Sequence, residues 1–500
     1  MTTDLRGISQ LPPSSAPGAR PRSSFYRRLV EQPNPVWMRE LKQAARLQRT
    51  PIILAVVTGM MTLLICSVGG VASTTAEPAK VAATAPAKPP GWLTDLSLGL
   101  KEGYDDNLFM VSGAGAPKQD SWLTTISPKV GINFAPLIKG QKALQVLSVG
   151  YAPDFVIYHD QSSESYNAHR LATTLKGKAG AFSFNVDNGF NFIDGSAVSP
   201  TYSRLLHDDQ RSAFATAVPR ERREQIQDRA KIVLQYDWKK CFLRPTATLL
   251  YYDLMTDQRT NAGYQNYCDR YDVNGGVDFG YKLAPAMAVT LGYRYGHQYQ
   301  EEYRTAIDAT HTSSPSDYHR VLFGFEGKPL TWLTAAVQAG PDFRSYPATT
   351  ATHTTPLSDK HPVTYYAEAS LTATLTPDDT LTFKYKQWQF LASTGKLPLF
   401  DSSYDLSYRH KFGKSLSLDL GAKLGCLDYT VATGTSSLRN DSMLTGSAGL
   451  AYAFSSHLSA NLAYVFDLGR NQQDVLAAGQ TEKYREFNHN LISLGATLKF

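Results

Sequence analysis

Ser415-Leu416-Ser417-Leu418-Asp419-Leu420-Gly421-Ala422-Lys423-Leu424-Gly425 alternates without a slip. Leu416, Leu418, Leu420, Ala422 and Leu424 share one parity; Ser417, Asp419, Gly421, Lys423 and Gly425 share the other. A period of two places successive side chains on opposite faces of a strand. The segment therefore predicts a strand with an apolar face and a charged face. The same division recurs at 457–468, where Leu458, Ala460, Leu462, Tyr464 and Phe466 oppose Ser459, Asn461 and Asp467. It recurs again at 271–282, where Tyr271, Val273, Val277, Phe279 and Tyr281 oppose Asp272, Asn274, Asp278 and Lys282.

A soluble sandwich also alternates, so the connections must discriminate. Short ones are expected at 135–143, 175–180, 238–242, 282–287, 327–331, 376–380, 412–415 and 454–457. Long ones fall between them at 104–120, 158–170, 192–225, 253–270, 298–317, 343–362, 391–401, 428–442 and 468–486. Strict alternation of tight turns and long loops is the habit of transmembrane barrels. Eight short and nine long connections join eighteen strands, or sixteen if boundaries shift. The predicted fold class is all-β, a transmembrane antiparallel up-and-down β-barrel. Such a sheet must close, because an open edge in lipid leaves amides unpaired.

Composition agrees. Charged residues are 19% of the 500, below the roughly 25% usual in soluble domains, while 11% are aromatic, including 28 Tyr. After residue 72 no apolar run is long enough for a membrane helix. Residues 1–50 hold nine basic and three acidic groups, which accounts for the whole net charge of +6 and leaves 41 of each sign in the remainder. A body with no net charge gives no reason to expect nucleic acid as a partner.

The apolar run at 52–72 follows Arg39, Lys42, Arg46 and Arg49 and ends in the small residues Gly70 and Ala72, with Ser73 and Thr74 behind them. This is the layout of a secretory signal cleaved between Ala72 and Ala76, with a retained inner-membrane anchor as the competing reading. Met38 as the start would give a leader of ordinary length. Ile65 is too bulky to precede a lipidated Cys66. The expected organisation is an extension and signal at 1–73, an Ala/Pro-rich periplasmic linker at 74–91 and a barrel at 92–500. Cys241, Cys268 and Cys426 form neither a disulfide framework nor a zinc pattern.

Aromatic residues gather beside the long connections: Tyr104, Tyr158, Phe192, Tyr251, Tyr252, Tyr271, Tyr295, Tyr318, Phe343, Tyr365, Trp388, Tyr404 and Tyr464. A second set lies by the short turns, at Trp92, Phe134, Trp238, Phe242, Trp332, Phe412 and Phe454. Two such bands predict interfacial girdles that contact outer-membrane lipids.

Two ends of the barrel region carry a family resemblance. The chain finishes Ala496-Thr497-Leu498-Lys499-Phe500, with Leu498, Ala496, Leu494 and Ile492 on the face of the terminal Phe. This resembles the closing strand of bacterial outer-membrane proteins, which implies that Phe500 is the assembly signal read by the barrel-assembly machinery. Gly103-Tyr104-Asp105-Asp106-Asn107-Leu108-Phe109 follows the first strand. It resembles the Tyr-x-Asp-Asn-aliphatic-Phe turn of the β-barrel porin 2 family. That resemblance implies an outer-membrane barrel of a Gram-negative-type envelope, in a family partly linked to exopolysaccharide export.

Catalytic patterns are absent from the sequence: no Gly-x-Ser-x-Gly, phosphate loop, His-Glu-x-x-His or dinucleotide fingerprint occurs. Neither an enzyme nor a cofactor is expected. His207-Asp208-Asp209 and His159-Asp160 read as solvated loop residues, and Asp105-Asp106-Asn107 reads as a turn former rather than a calcium site. The charged strand face offers the candidate function. Arg229, Lys231, Asp237, Asp272, Asp278, Lys282, Arg294, Arg320, Glu326, Lys384, Lys386, Arg409, Asp419, Lys423 and Asp467 are the candidate pore-lining residues. A charge on the lipid face costs about 2–4 kcal/mol at mid-bilayer, so these groups belong in water. Sixteen to eighteen strands enclose more space than side chains fill. The expected function is a channel for small hydrophilic solutes; polysaccharide export and a surface-binding barrel are the alternatives. The connection at 192–225 is longest, 34 residues against 20 for 298–317 and 343–362. With Arg204, Arg211, Arg220, Arg222 and Arg223 balanced by five acids, it is the candidate constriction loop.

Overall fold

A computed structural model describes residues 90–110, 118–138, 140, 142–194, 224–255, 269–300, 315–346, 360–391, 398–429, 439–473 and 486–500. The signal reading, most of the linker, Cys66, Cys268, His207-Asp208-Asp209 and most of the long connections lie outside these residues. The described chain is nearly all strand. The first strands are β1 (Leu93–Asp105), β2 (Ser121–Asn133), β3 (Leu144–Tyr151), β4 (Asp154–Tyr158), β5 (Tyr166–Ala179) and β6 (Phe182–Asp194). Next come β7 (Gln225–Trp238), β8 (Cys241–Asp253), β9 (Arg270–Ala284), β10 (Met287–Gln300), β11 (Ser316–Leu330) and β12 (Leu333–Ser345). The last are β13 (Val363–Thr374), β14 (Asp379–Phe390), β15 (Leu399–Phe412), β16 (Leu416–Tyr429), β17 (Arg439–Ala453), β18 (Leu458–Gln473) and β19 (Phe487–Lys499).

Strands adjacent in the sequence are antiparallel neighbours in the sheet, and β1 pairs with β19 from Ser97↔Lys499 to Asp105↔Leu491, so the sheet is a closed barrel. β3 and β4 together occupy one place between β2 and β5. The nineteen segments therefore make eighteen staves, as the alternation predicted. The break falls at Ala152-Pro153, where the proline has no N–H for the ladder.

Two expected boundaries move. β5 takes in Tyr166–Arg170, residues within the long connection expected at 158–170, and runs on to Ala179, leaving Gly180-Ala181 as the turn. Lys176 and Lys178 share the face of Ala168 and Arg170 that looks into the barrel. Polar residues on a wet face are hard to tell from a turn in the sequence. Gly180 has φ +61°, the left-handed conformation a two-residue hairpin favours.

Parity separates the two faces. Leu418, Leu450, Leu462 and Leu494 sit side by side across β16 to β19 on the outer surface, and the last three are exposed. Tyr295, Phe343, Tyr365, Tyr404 and Tyr464 are exposed toward the long connections; Trp238, Trp332, Phe412 and Phe454 are exposed toward the short turns. The girdle expectation needs correction for Tyr158, Tyr252, Tyr318, Trp388 and Phe242, all of them buried on the inner face. Position along a strand sets depth in the barrel wall, but parity sets which side is faced. Phe242 and Tyr318 lie flat against facing glycines: a Cβ at Gly280 would come 1.9 Å from Phe242 Cζ, and one at Gly296 2.2 Å from Tyr318 Cζ.

Candidate functional site

The barrel encloses a cavity of about 1160 Å3. Arg229, Lys231, Asp272, Asp278, Arg294, Arg320, Glu326, Lys386, Lys423 and Asp467 line it. The other five candidates share the inward face of their strands away from this cavity. Asp237 and Lys282 pair at 2.8 Å, and Arg409 and Asp419 pair at 2.6 Å. Lys384 is two residues from Lys386 on β14 and opposite Asp405 of β15. Lys101, Asp154, Arg244, Glu368, Asp401, Asp441 and His489 also line the cavity and are not marked by the sequence reading, and so does Asp105, which that reading makes a turn former. Their parity was available; Pro245 beside Arg244, the small residues flanking Glu368 and the short polar run around Asp441 hid it.

Four arginines of β8–β12 lie along the wall, each beside a carboxylate. Arg244 reaches from β8 to β11 and grips Glu326 through both terminal nitrogens, at 2.8 and 2.5 Å. Arg294 meets Asp278 at 2.8 Å. Arg320 and Arg344 share Asp342 at 2.9 and 3.1 Å. In the Arg244–Glu326 and Arg294–Asp278 pairs two guanidinium nitrogens reach both carboxylate oxygens and fix both partners, so this wall presents ordered dipoles rather than loose charges. Asp272 accepts hydrogen bonds from Tyr318 Oη at 3.0 Å and Gln298 Nε2 at 2.8 Å.

Near the long connections the cavity narrows. The β13–β14 ladder stops at Ala367↔Gln387, although β13 continues to Val363 and β14 stays paired with β15 out to Phe390↔Leu399. The tip of the β14–β15 hairpin thus leaves the wall and leans inward. Gln389, whose parity is outward, is only 2% exposed. Its carbonyl accepts from Gln298 Nε2 at 3.1 Å and Arg344 Nη2 at 2.9 Å, and Arg270 donates to the carbonyl of Leu391. Tyr252, Leu322, Tyr366, Trp388, Phe390, Leu399 and Leu427 form one apolar cluster from β8 to β16, on almost opposite walls. Cations cover its rings: Arg270 is 5.0 Å from Tyr252 and 4.7 Å from Phe390, Arg320 is 4.4 Å from Tyr366, and Lys386 Nζ is 3.7 Å from Trp388. Desolvated cation–ring contacts stabilise by up to about 2 kcal/mol each.

This bridge crosses part of the wide lumen expected from the strand number, and the cavity stays open beside it. The third long connection, proposed from its length as the constriction, is described only at its ends; Arg204, Arg211, Arg220, Arg222 and Arg223 lie outside the described residues. Among the described residues the narrowing comes from the seventh connection's base. Its signal was Phe390-Leu391-Ala392, where adjacent apolar residues break period two.

His159 and Asp160 tie their loop to the wall, His159 Nε2 to Thr124 Oγ1 at 2.8 Å and Asp160 to the Trp122 amide at 3.4 Å. Cys241 and Cys426 are free thiols.

An apolar outer belt around a closed, charged, partly bridged interior defines a membrane-spanning β-barrel with a hydrated lumen. Comparison of the sequence with family models and with curated proteins finds no match. Solved structures do match in outline. Pseudomonas aeruginosa OpdK with vanillate is 11% identical, with 82% of this chain and 100% of that one covered at a TM-score of 0.38. Pseudomonas aeruginosa OccK2 (OpdF) in complex with glucuronate is 13% identical, with 82% and 100% covered at 0.39. OccK11 (OpdR) of the same organism is 13% identical, with 81% and 96% covered at 0.36.

Proposed function

We propose that this protein is a non-enzymatic outer-membrane channel for small hydrophilic solutes. The observation that carries this reading is the lumen, in which charged side chains from strands all around the barrel line one cavity inside an apolar shell. Charges so placed must be paired or hydrated, and a hydrated path through a membrane conducts. The short turns then face the periplasm and the long connections the exterior. Purified protein in a planar bilayer should show discrete conductance steps; a barrel electrically silent under all voltages would overturn the reading and favour a barrel that serves polysaccharide export or surface binding.

The fifteen charged candidates named from the sequence are the pore-lining set in this reading, and Phe500 is the residue recognised during assembly. We also read the chain as a relative of the β-barrel porin 2 family, on its opening motif.

Two predictions belong to the lumen. Glu326→Gln removes the carboxylate that holds Arg244 and leaves a guanidinium beside the path. The reversal potential in a salt gradient should shift toward anion preference, with little loss of stability because Glu326 is partly exposed. An unchanged potential would remove this pair from the conducting route. The arginine-rich third connection is proposed to enter the same mouth. Deleting residues 200–220 should raise single-channel conductance, and a deletion that leaves conductance alone would place that connection outside.

A further inference from the structure

The Gly103–Phe109 segment is left over by the channel reading, yet its side chains are among the most heavily engaged in the barrel. We propose that it is a latch that locks the barrel's closing seam at the external end, joining the first strand to the last.

The seam is the pairing of β1 with β19, nine residues on each strand, against fifteen between β17 and β18. Immediately beyond Asp105↔Leu491 the side chains of the motif take over. On the outer side Asp106 receives the Asn490 amide at 2.6 Å and Asn490 Nδ2 at 2.7 Å, while its own amide donates to the Asn490 carbonyl at 3.1 Å. Tyr464 of β18 donates to Asn490 Oδ1 at 2.6 Å, which fixes the asparagine from its other neighbour. Asn107, fully buried, donates through Nδ2 to the Asn488 carbonyl at 2.7 Å. These partners stand 381 and 384 residues apart in the chain.

The inner side is fastened as well. His489 Nδ1 is 2.9 Å from Asp467 of β18, and Nε2 is 3.1 Å from Asp105 of β1. The imidazole thus stands between the carboxylates of the first strand and of β18. Asp105 in turn accepts the amide of Asn107 at 3.0 Å, which sets the turn so that Asp106 and Asn107 reach across. Leu108 then drops into the lumen, 1% exposed, against Leu123, Val156 and Tyr158. Each residue of Asp105-Asp106-Asn107-Leu108 therefore has a separate task at one seam. A turn that needed only to reverse the chain would not require four side chains aimed at the last strand and the inner wall.

A buried hydrogen bond to a charged group is worth more than a neutral one, and a broken partner left behind adds to the loss. The test is the rate at which the folded barrel, purified in detergent, converts to the unfolded band in SDS at a fixed elevated temperature. Asp106→Ala and Asn490→Ala should each unfold roughly tenfold faster than the parent protein, and the double variant by less than the product of the two factors, because one of the bonds is common to both side chains. Asp120→Ala removes a loop contact to Tyr104 that does not cross the seam, and it should match the parent. Rates for Asp106→Ala no faster than for Asp120→Ala would overturn the latch. If Asp106→Ala yields no folded barrel, Asp106→Cys/Asn490→Cys in a background with Cys66, Cys241, Cys268 and Cys426 changed to serine decides the matter. Oxidised, this variant should unfold as slowly as that background, and reduced, at least as fast as expected for Asp106→Ala; equal slow rates in both states would overturn the proposal.

Discussion

Trp388→Ala should both widen the channel and weaken the barrel. Trp388 is buried at the centre of the bridge across the external half of the lumen. It stacks on Phe390 with ring centres 4.2 Å apart, carries Lys386 on its other contacts, and donates from Nε1 to Asp401 at 3.3 Å. Removing a packed tryptophan costs about 3–5 kcal/mol, and here the vacated volume opens onto the cavity. The loss should appear as a lower urea midpoint for the lipid-reconstituted barrel, and the opening as larger single-channel steps. Trp388→Phe keeps a ring over Phe390 and should fall between the two. A destabilised barrel with parental conductance would make the bridge a brace for the wall and not the narrowest point of the path.

A second large effect is expected on the opposite face. Leu444 of β17 is exposed on the outer surface, with Leu424 of β16 and Leu468 of β18 beside it in register. Leu444→Arg places a cation among hydrocarbon chains and should cost about 2–4 kcal/mol if it lies near mid-bilayer. Ser447→Arg, three residues on but turned into the lumen, adds the same side chain where water can solvate it. Folding yield into lipid vesicles, followed by urea titration, should fall for the first variant and hold for the second. Equal penalties would mean that the outer surface does not meet lipid.

Much of this architecture was legible before any coordinates. Leu416–Gly425 shows why: a strand between lipid and water has its two faces in opposite solvents, so every second residue is forced to be apolar. The alternation of tight and long connections followed from the same barrel, and it yielded eighteen places even though boundaries at 158–170 and 175–180 moved. The inward parity of Asp272, Asp278, Lys423 and Asp467 needed nothing more than counting by two. Where both faces of a strand are wet or both are buried, that rule has no contrast to act on. Tyr166–Arg170 and Lys176–Lys178 were lost to it for the first reason, and Trp388-Gln389-Phe390 for the second.

The sequence by itself determined the class of fold, narrowed the staves to eighteen or sixteen and marked part of the inward-facing charge, because those depend on local period and on solvent. Only the tertiary structure decided what the inward groups do to one another. Arg244 finds Glu326 82 positions away, Arg270 reaches Leu391 across the mouth, and Asp106 meets Asn490 at the seam. Such pairings depend on ring closure and on the lean of one hairpin. Closure brings distant strands side by side, and parity along any single strand carries no record of which strand will stand across the lumen.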